Sequence, residues 1–111
     1  MTDWYPFDEG RSIGLKGSED GIILRDEEHA DGARITLERD GHYPFSITCG
    51  IYGWMVHTRF FSDKVAAQNS FEEMKDALAK ILNIIPTVDE ANEEKINEVS
   101  ERMSDFIERF P

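Results

Sequence analysis

The spacing of apolar residues changes near the middle of the chain. From about residue 21 to 61 it has a period of two. Ile22 and Leu24 alternate with Ile23 and Arg25, and Ala33, Ile35 and Leu37 with Arg34, Thr36 and Glu38. Phe45, Ile47 and Cys49 alternate with Ser46 and Thr48. Trp54, Val56, Thr58 and Phe60 alternate with Met55, His57, Arg59 and Phe61. Such alternation, rich in β-branched and aromatic residues, is what a strand with one buried face requires. Four strands are expected, and their short connections make sequence neighbours pair as an antiparallel meander. A short extra edge strand is expected at Gly10-Arg11-Ser12-Ile13-Gly14.

Register follows from keeping apolar residues on one face. A turn over residues 50–53 sets Cys49 opposite Trp54, Ile47 opposite Val56 and Phe45 opposite Thr58. A two-residue Asp40-Gly41 turn would put Ile35 on the face of Ser46. A loop with an odd number of residues, Asp40, Gly41 and His42, instead sets Leu37 opposite Phe45 and Ile35 opposite Ile47.

From Asn69 onward the period becomes that of a helix. Phe71, Met74, Leu78, Ile81 and Ile85 step by three and four, with Ala77 and Leu82 beside them. Ser70 with Glu73 reads as a capping box, and Pro86 ends the segment. Thr87 with Glu90 reads as a second box, and Ile96, Val99, Met103, Phe106 and Phe110 repeat the spacing, with Ile107 beside them. The expected fold is α+β: a four-stranded antiparallel β-meander followed by a C-terminal helical hairpin, tightly jointed near Pro86, packed on one sheet face as a two-layer sandwich. Residues 62–68 are expected to be a connector, with room for a short turn of helix. Trp54, Val56, Ile81 and Val99 would share the core. The 111 residues suit a single domain, with an aromatic and glycine-containing segment at 1–20, the sheet at 21–61 and the hairpin at 70–110.

Charge narrows the class of partner. Twelve basic residues against 23 acidic ones leave a net charge of −11. Nucleic acid and anionic membrane are therefore not expected partners. The first residues lack the basic region and apolar core of a signal peptide, and no apolar run reaches the length of a membrane span. With a single cysteine, Cys49, the expectation is a soluble cytoplasmic protein. Residues 62–111 hold twelve acidic and six basic side chains, a solvated helix face or an acidic docking face.

No motif nominates a reaction. Asp26-Glu27-Glu28-His29, with Asp31, is the densest group of metal-ligand types, but it lies at an expected loop and matches neither the EF-hand nor the His-Glu-x-x-His spacing. It is read as a hydrated turn, and neither a metal nor a cofactor is expected. Cys49 and His57 fall on opposite faces in the expected register, which rules out a nucleophile–base pair. Gly50-Ile51-Tyr52-Gly53 lacks the lysine and following helix of a phosphate loop.

The informative surface is the sheet face opposite the helices. It is expected to carry Arg34, Thr36, Ser46, His57 and Arg59, with Arg25 nearby and Glu38 among them. Paired donors of this kind suit a carboxylate or phosphate. Ile23, Met55 and Phe61 are expected to project from the same face. The aromatic run Trp4, Tyr5, Pro6 and Phe7 would cover them, lie along a sheet edge, or join them in an interface. The leading functional expectation is a non-catalytic protein-binding or adaptor module, homodimeric through Trp4, Tyr5, Phe7, Ile23, Met55 and Phe61. The alternative is a small-anion binder or weak enzyme using the Arg/His face.

Overall fold

A computed structural model describes residues 3–111. Its strands are β1 (Trp4–Pro6), β2 (Ile22–His29), β3 (Ala33–Arg39), β4 (Phe45–Ile51) and β5 (Met55–Phe61), and its helices are α1 (Lys64–Leu82) and α2 (Glu93–Arg109). The strands form one antiparallel sheet in the order β1-β2-β3-β4-β5, a meander throughout. Helix residues close over one of its faces. The class is the α+β expected, with five strands rather than four. The added strand lies at Trp4–Pro6, where Trp4 faces His29 and Pro6 faces Glu27. The Trp4 ring stands edge-on to the His29 imidazole, with centroids 5.0 Å apart. Gly10 ends a short 3-10 helix and residues 11–14 form turns, so the edge strand expected there is absent.

The core lies between the helices and the inner residues of β3 and β4. Ala33, Ile35, Leu37, Ile47, Cys49 and Ile51 meet Ala67, Phe71, Met74, Leu78, Ile81, Val99, Met103, Phe106 and Phe110. The β3–β4 loop has an odd length, as expected, but it spans five residues, 40–44. Leu37 therefore pairs with Ile47 and Ile35 with Cys49, two residues from the expected partners and on the correct face.

The β4–β5 register corrects the expected one. Strand β4 runs on through Ile51, which continues the alternation of Ile47 and Cys49, and the turn is Tyr52, Gly53 and Trp54. Only Gly53 of the two turn glycines takes a left-handed backbone, with φ +81°. Cys49 faces His57, Ile47 faces Arg59 and Phe45 faces Phe61. The shift is odd, so every β5 side chain changes face. Met55, His57, Arg59 and Phe61 turn toward the helices, while Val56, Thr58 and Phe60 turn away. Of the four residues expected to share a core, Ile81 and Val99 are buried, Trp54 is half-buried at the turn, and Val56 is 79% exposed.

A bulge between Ile23 and Arg25 changes face within β2. Beyond it Arg25, Glu27 and His29 face α1, so the sheet beneath the first half of that helix is charged. Arg25 stacks on the Phe71 ring at 4.1 Å and pairs with Glu27 (2.7 Å) and Glu72 (2.8 Å). Lys75 pairs with Glu27 at 2.6 Å and is only 12% exposed. Burial opposes ionisation of Glu72, but Arg25 and Lys75 outweigh it and hold the carboxyl below its ordinary pKa.

The helix starts also differ from expectation. Helix α1 begins within the expected connector, capped by Asp63, whose carboxylate accepts from the Ala66 amide at 2.9 Å. Ser70 is buried inside the helix and accepts from Arg59 Nη1 at 2.7 Å. Helix α2 is capped by Asn92, whose side-chain oxygen accepts from the Lys95 amide at 2.8 Å. The Thr87 hydroxyl does accept from the Glu90 amide at 3.3 Å, but the turn it closes is not continued. Ten residues, 83–92, separate the helices, so the joint near Pro86 is not tight. No helix among the described residues is long and apolar enough to cross a membrane.

Candidate functional site

Three cross-strand rows make up the open sheet face. The first runs Tyr5, Glu28, Arg34, Gly50, Val56. The second runs Asp26, Thr36, Thr48, Thr58, and the third Ile23, Glu38, Ser46, Phe60. Arg34, Thr36 and Ser46 thus lie where the sequence places them. His57 and Arg59 do not join them, because the β4–β5 turn comes later than expected. His57 Nε2 donates to the Phe110 carbonyl at 2.6 Å, and Arg59 donates to Ser70, both on the helix side. The expected Arg/His cluster is divided between two faces.

Arg34 itself is occupied. Its Nε and Nη2 donate to Asp26 at 2.9 and 2.6 Å, and the Asp26 side chain is 0% exposed. Thr36 donates to the same carboxylate at 3.1 Å, and the Phe7 ring lies 3.5 Å from the guanidinium carbon. The hydrogen bonds to Asp26 push the Arg34 pKa above its ordinary value. Beside it Tyr5 and Tyr52 donate to the two oxygens of Glu28 at 3.0 and 2.5 Å. Burial and Glu28 push the Tyr52 hydroxyl up to about 12. A planar anion would have to displace carboxylates already in place.

The metal-ligand run corrects in the same way. Asp26-Glu27-Glu28-His29 lies on β2 and not in a loop, so alternation sends Asp26 and Glu28 to one face and Glu27 and His29 to the other. Among the described residues no three His, Cys, Asp or Glu side chains converge on one point. Cys49 and His57 are cross-strand neighbours on one face, not on opposite faces. Burial nevertheless pushes the Cys49 thiol up to about 12, so it is not a thiolate at neutral pH.

The residues expected at an interface mostly have places within the chain. Ile23 is buried, and Trp4, Met55 and Phe61 pack against the core. Phe7 lies against Arg34, and Tyr5 stays exposed with its hydroxyl on Glu28. On the open face, apolar side chains are also exposed at the β5 end. Val56 is 79% exposed and Phe60 44%, and Tyr43 packs on Phe60 with centroids 4.3 Å apart.

A strap over residues 14–21 shapes this face. The Gly14 amide donates to the Ile23 carbonyl, and the Ile23 amide to Leu15, both at 2.9 Å. Glu38, 1% exposed, accepts from the amides of Glu19 (3.2 Å) and Gly21 (3.0 Å). Gly17 passes so close to that carboxylate that a Cβ would collide with it. Between strap and sheet lies a cavity of about 690 Å³, reached by Lys16, Ile23, Arg34, Thr48, Trp54 and Val56. Both of its charged side chains are paired, Arg34 with Asp26 and Lys16 with Asp20 at 3.3 Å. What remains is apolar and aromatic surface edged by threonine hydroxyls. Exposed Val56 and Phe60 are the residues the sequence reading missed; the signal was Ile51, whose alternation with Cys49 moves the turn and turns β5 over.

Comparison of the chain with protein-family models, with curated proteins and with solved structures found no match.

Proposed function

We propose that this chain is a non-catalytic binding module that holds a segment of a partner protein on the open sheet face over β4 and β5. One observation carries the reading: Val56, 79% exposed, borders a cavity of a size that accepts an apolar or aromatic side chain, and Phe60, with Tyr43 packed on it, stands exposed further along the same strand. The groups with catalytic potential point away from an enzyme reading. The Cys49 thiol is buried, and Arg34, Arg59 and His57 are each held by groups of the same chain. The anion-binding alternative is weaker for the same reason. Homodimerisation through Trp4, Ile23, Met55 and Phe61 loses its motive, since those side chains pack within the chain.

The test uses photo-crosslinking with the reactive group placed at Val56 and, as a control, at Glu101 on exposed α2. A partner captured from Val56 alone, then purified and shown by NMR to shift Thr48, Trp54 and Phe60, supports the reading. Equal capture from both positions, or shifts confined to the helices, contradicts it.

A further inference from the structure

The two edges of the sheet are guarded very differently. Strand β1 has three residues and ends in Pro6, which offers no amide. Strand β5 has seven residues, Met55–Phe61, and contains no proline. Its one charged side chain, Arg59, turns inward to Ser70. That inward charge is the one guard the edge carries: the β4–β5 ladder runs from Phe45/Phe61 to Ile51/Met55 without a bulge, and among the described residues no backbone group outside β4 bonds to β5. In an antiparallel edge strand every second residue points its amide and carbonyl outward, so β5 presents a row of unpaired donors and acceptors.

We infer that β5 receives an extended segment of a partner protein as a sixth strand, and that this segment is basic with apolar residues at alternate positions. The inference rests on the open-face reading and supplies its mode of binding. A strand added beside β5 sets its side chains about 5 Å from Val56 and Phe60 on the open face. Alternate apolar residues of the partner then continue the exposed Val56 and Phe60 side chains beyond the present edge of the sheet. Backbone bonds supply pairing without sequence, and apolar contact with Val56 and Phe60 supplies selectivity. Charge decides the occupant. The chain as a whole carries −11, so a second copy brings a like net charge, whereas a lysine- or arginine-bearing segment is drawn toward the molecule.

Three synthetic peptides as long as β5, seven residues, test this on the full isotope-labelled chain. The first alternates Val or Phe with Lys or Thr. The second replaces Lys with Glu, and the third keeps Lys but carries N-methyl groups on the amides that would face β5. The basic peptide is expected to shift β5 resonances and to slow exchange of the outward amides of β5. Affinity is expected to fall about tenfold or more with the acidic peptide and with the N-methylated one, and to weaken with salt. If the N-methylated peptide binds equally well, with shifts confined to Thr48, Tyr52 and Trp54, edge pairing is wrong and the open-face reading survives. If no peptide shifts either surface, both are wrong. If β5 amides become protected on concentrating the protein alone, with a dimer in sedimentation, the occupant is a second copy and the inference fails.

Discussion

Glu38 shows how a single side chain can shape the open face of a sheet. Its carboxylate is buried on the open side of the sheet and holds two strap amides, a charge-assisted arrangement stronger than a neutral pair. Glu38→Gln should cost about 1–3 kcal/mol in denaturant unfolding. It should also speed amide exchange at Gly21 well before global unfolding; unchanged exchange there would show that the strap is held by other contacts. Cys49 makes a second residue-scale case. Its pKa rises from 9.0 to about 12 on burial, so the unfolded chain releases this proton more readily than the folded one. Its contribution to stability is therefore complete below pH 9 and lost as pH climbs toward 12. In Cys49→Ala, stability should decline less steeply over that window; an identical slope would mean that the thiol is not desolvated. At this scale the sequence showed Cys49 as a core residue, because it alternates with Ile47. It could not show Glu38 as a buried anchor, since its partners are backbone amides 17 and 19 residues away.

Among the elements, the sheet, the two helices and their order were legible because each keeps one apolar face at its own period. What escaped was phase. In β5 both alternating sets contain large apolar residues, Trp54, Val56 and Phe60 in one and Met55 and Phe61 in the other, so periodicity alone chooses neither. In β2 the bulge before Arg25 inverts the pattern, and the helix-facing side is satisfied by ion pairs that hydrophobicity does not report. The helix starts escaped for a related reason. Ser70 and Thr87 each have a glutamate three residues on, but Ser70 already lies in a helix begun at Lys64, and residues 91–92 break the turn that Thr87 opens. Asp63→Ala and Asn92→Ala should each cost roughly 0.5–2 kcal/mol, and Thr87→Ala much less. A larger loss from Thr87→Ala than from Asn92→Ala in thermal unfolding would place the start of α2 at the wrong residue.

At the scale of the molecule, one sheet face is sealed by helices and the other is only half sealed by the strap. The candidate site was legible in part. Arg34, Thr36 and Ser46 were placed on the open face, but the surface proposed for binding lies one strand further on, where the β4–β5 turn delivers Val56 and Phe60 and withdraws His57 and Arg59. Strand addition requires β5 to be a free edge with its Val56–Phe60 side open. Amide hydrogen exchange along Met55–Phe61 in the dilute, unliganded protein tests it most directly. A free edge gives alternation, with every second amide slow because it bonds to β4 and those between exchanging at nearly the rate of exposed peptide. Uniformly slow exchange along the strand would mean that the edge is already paired and that β5 is not open to a partner.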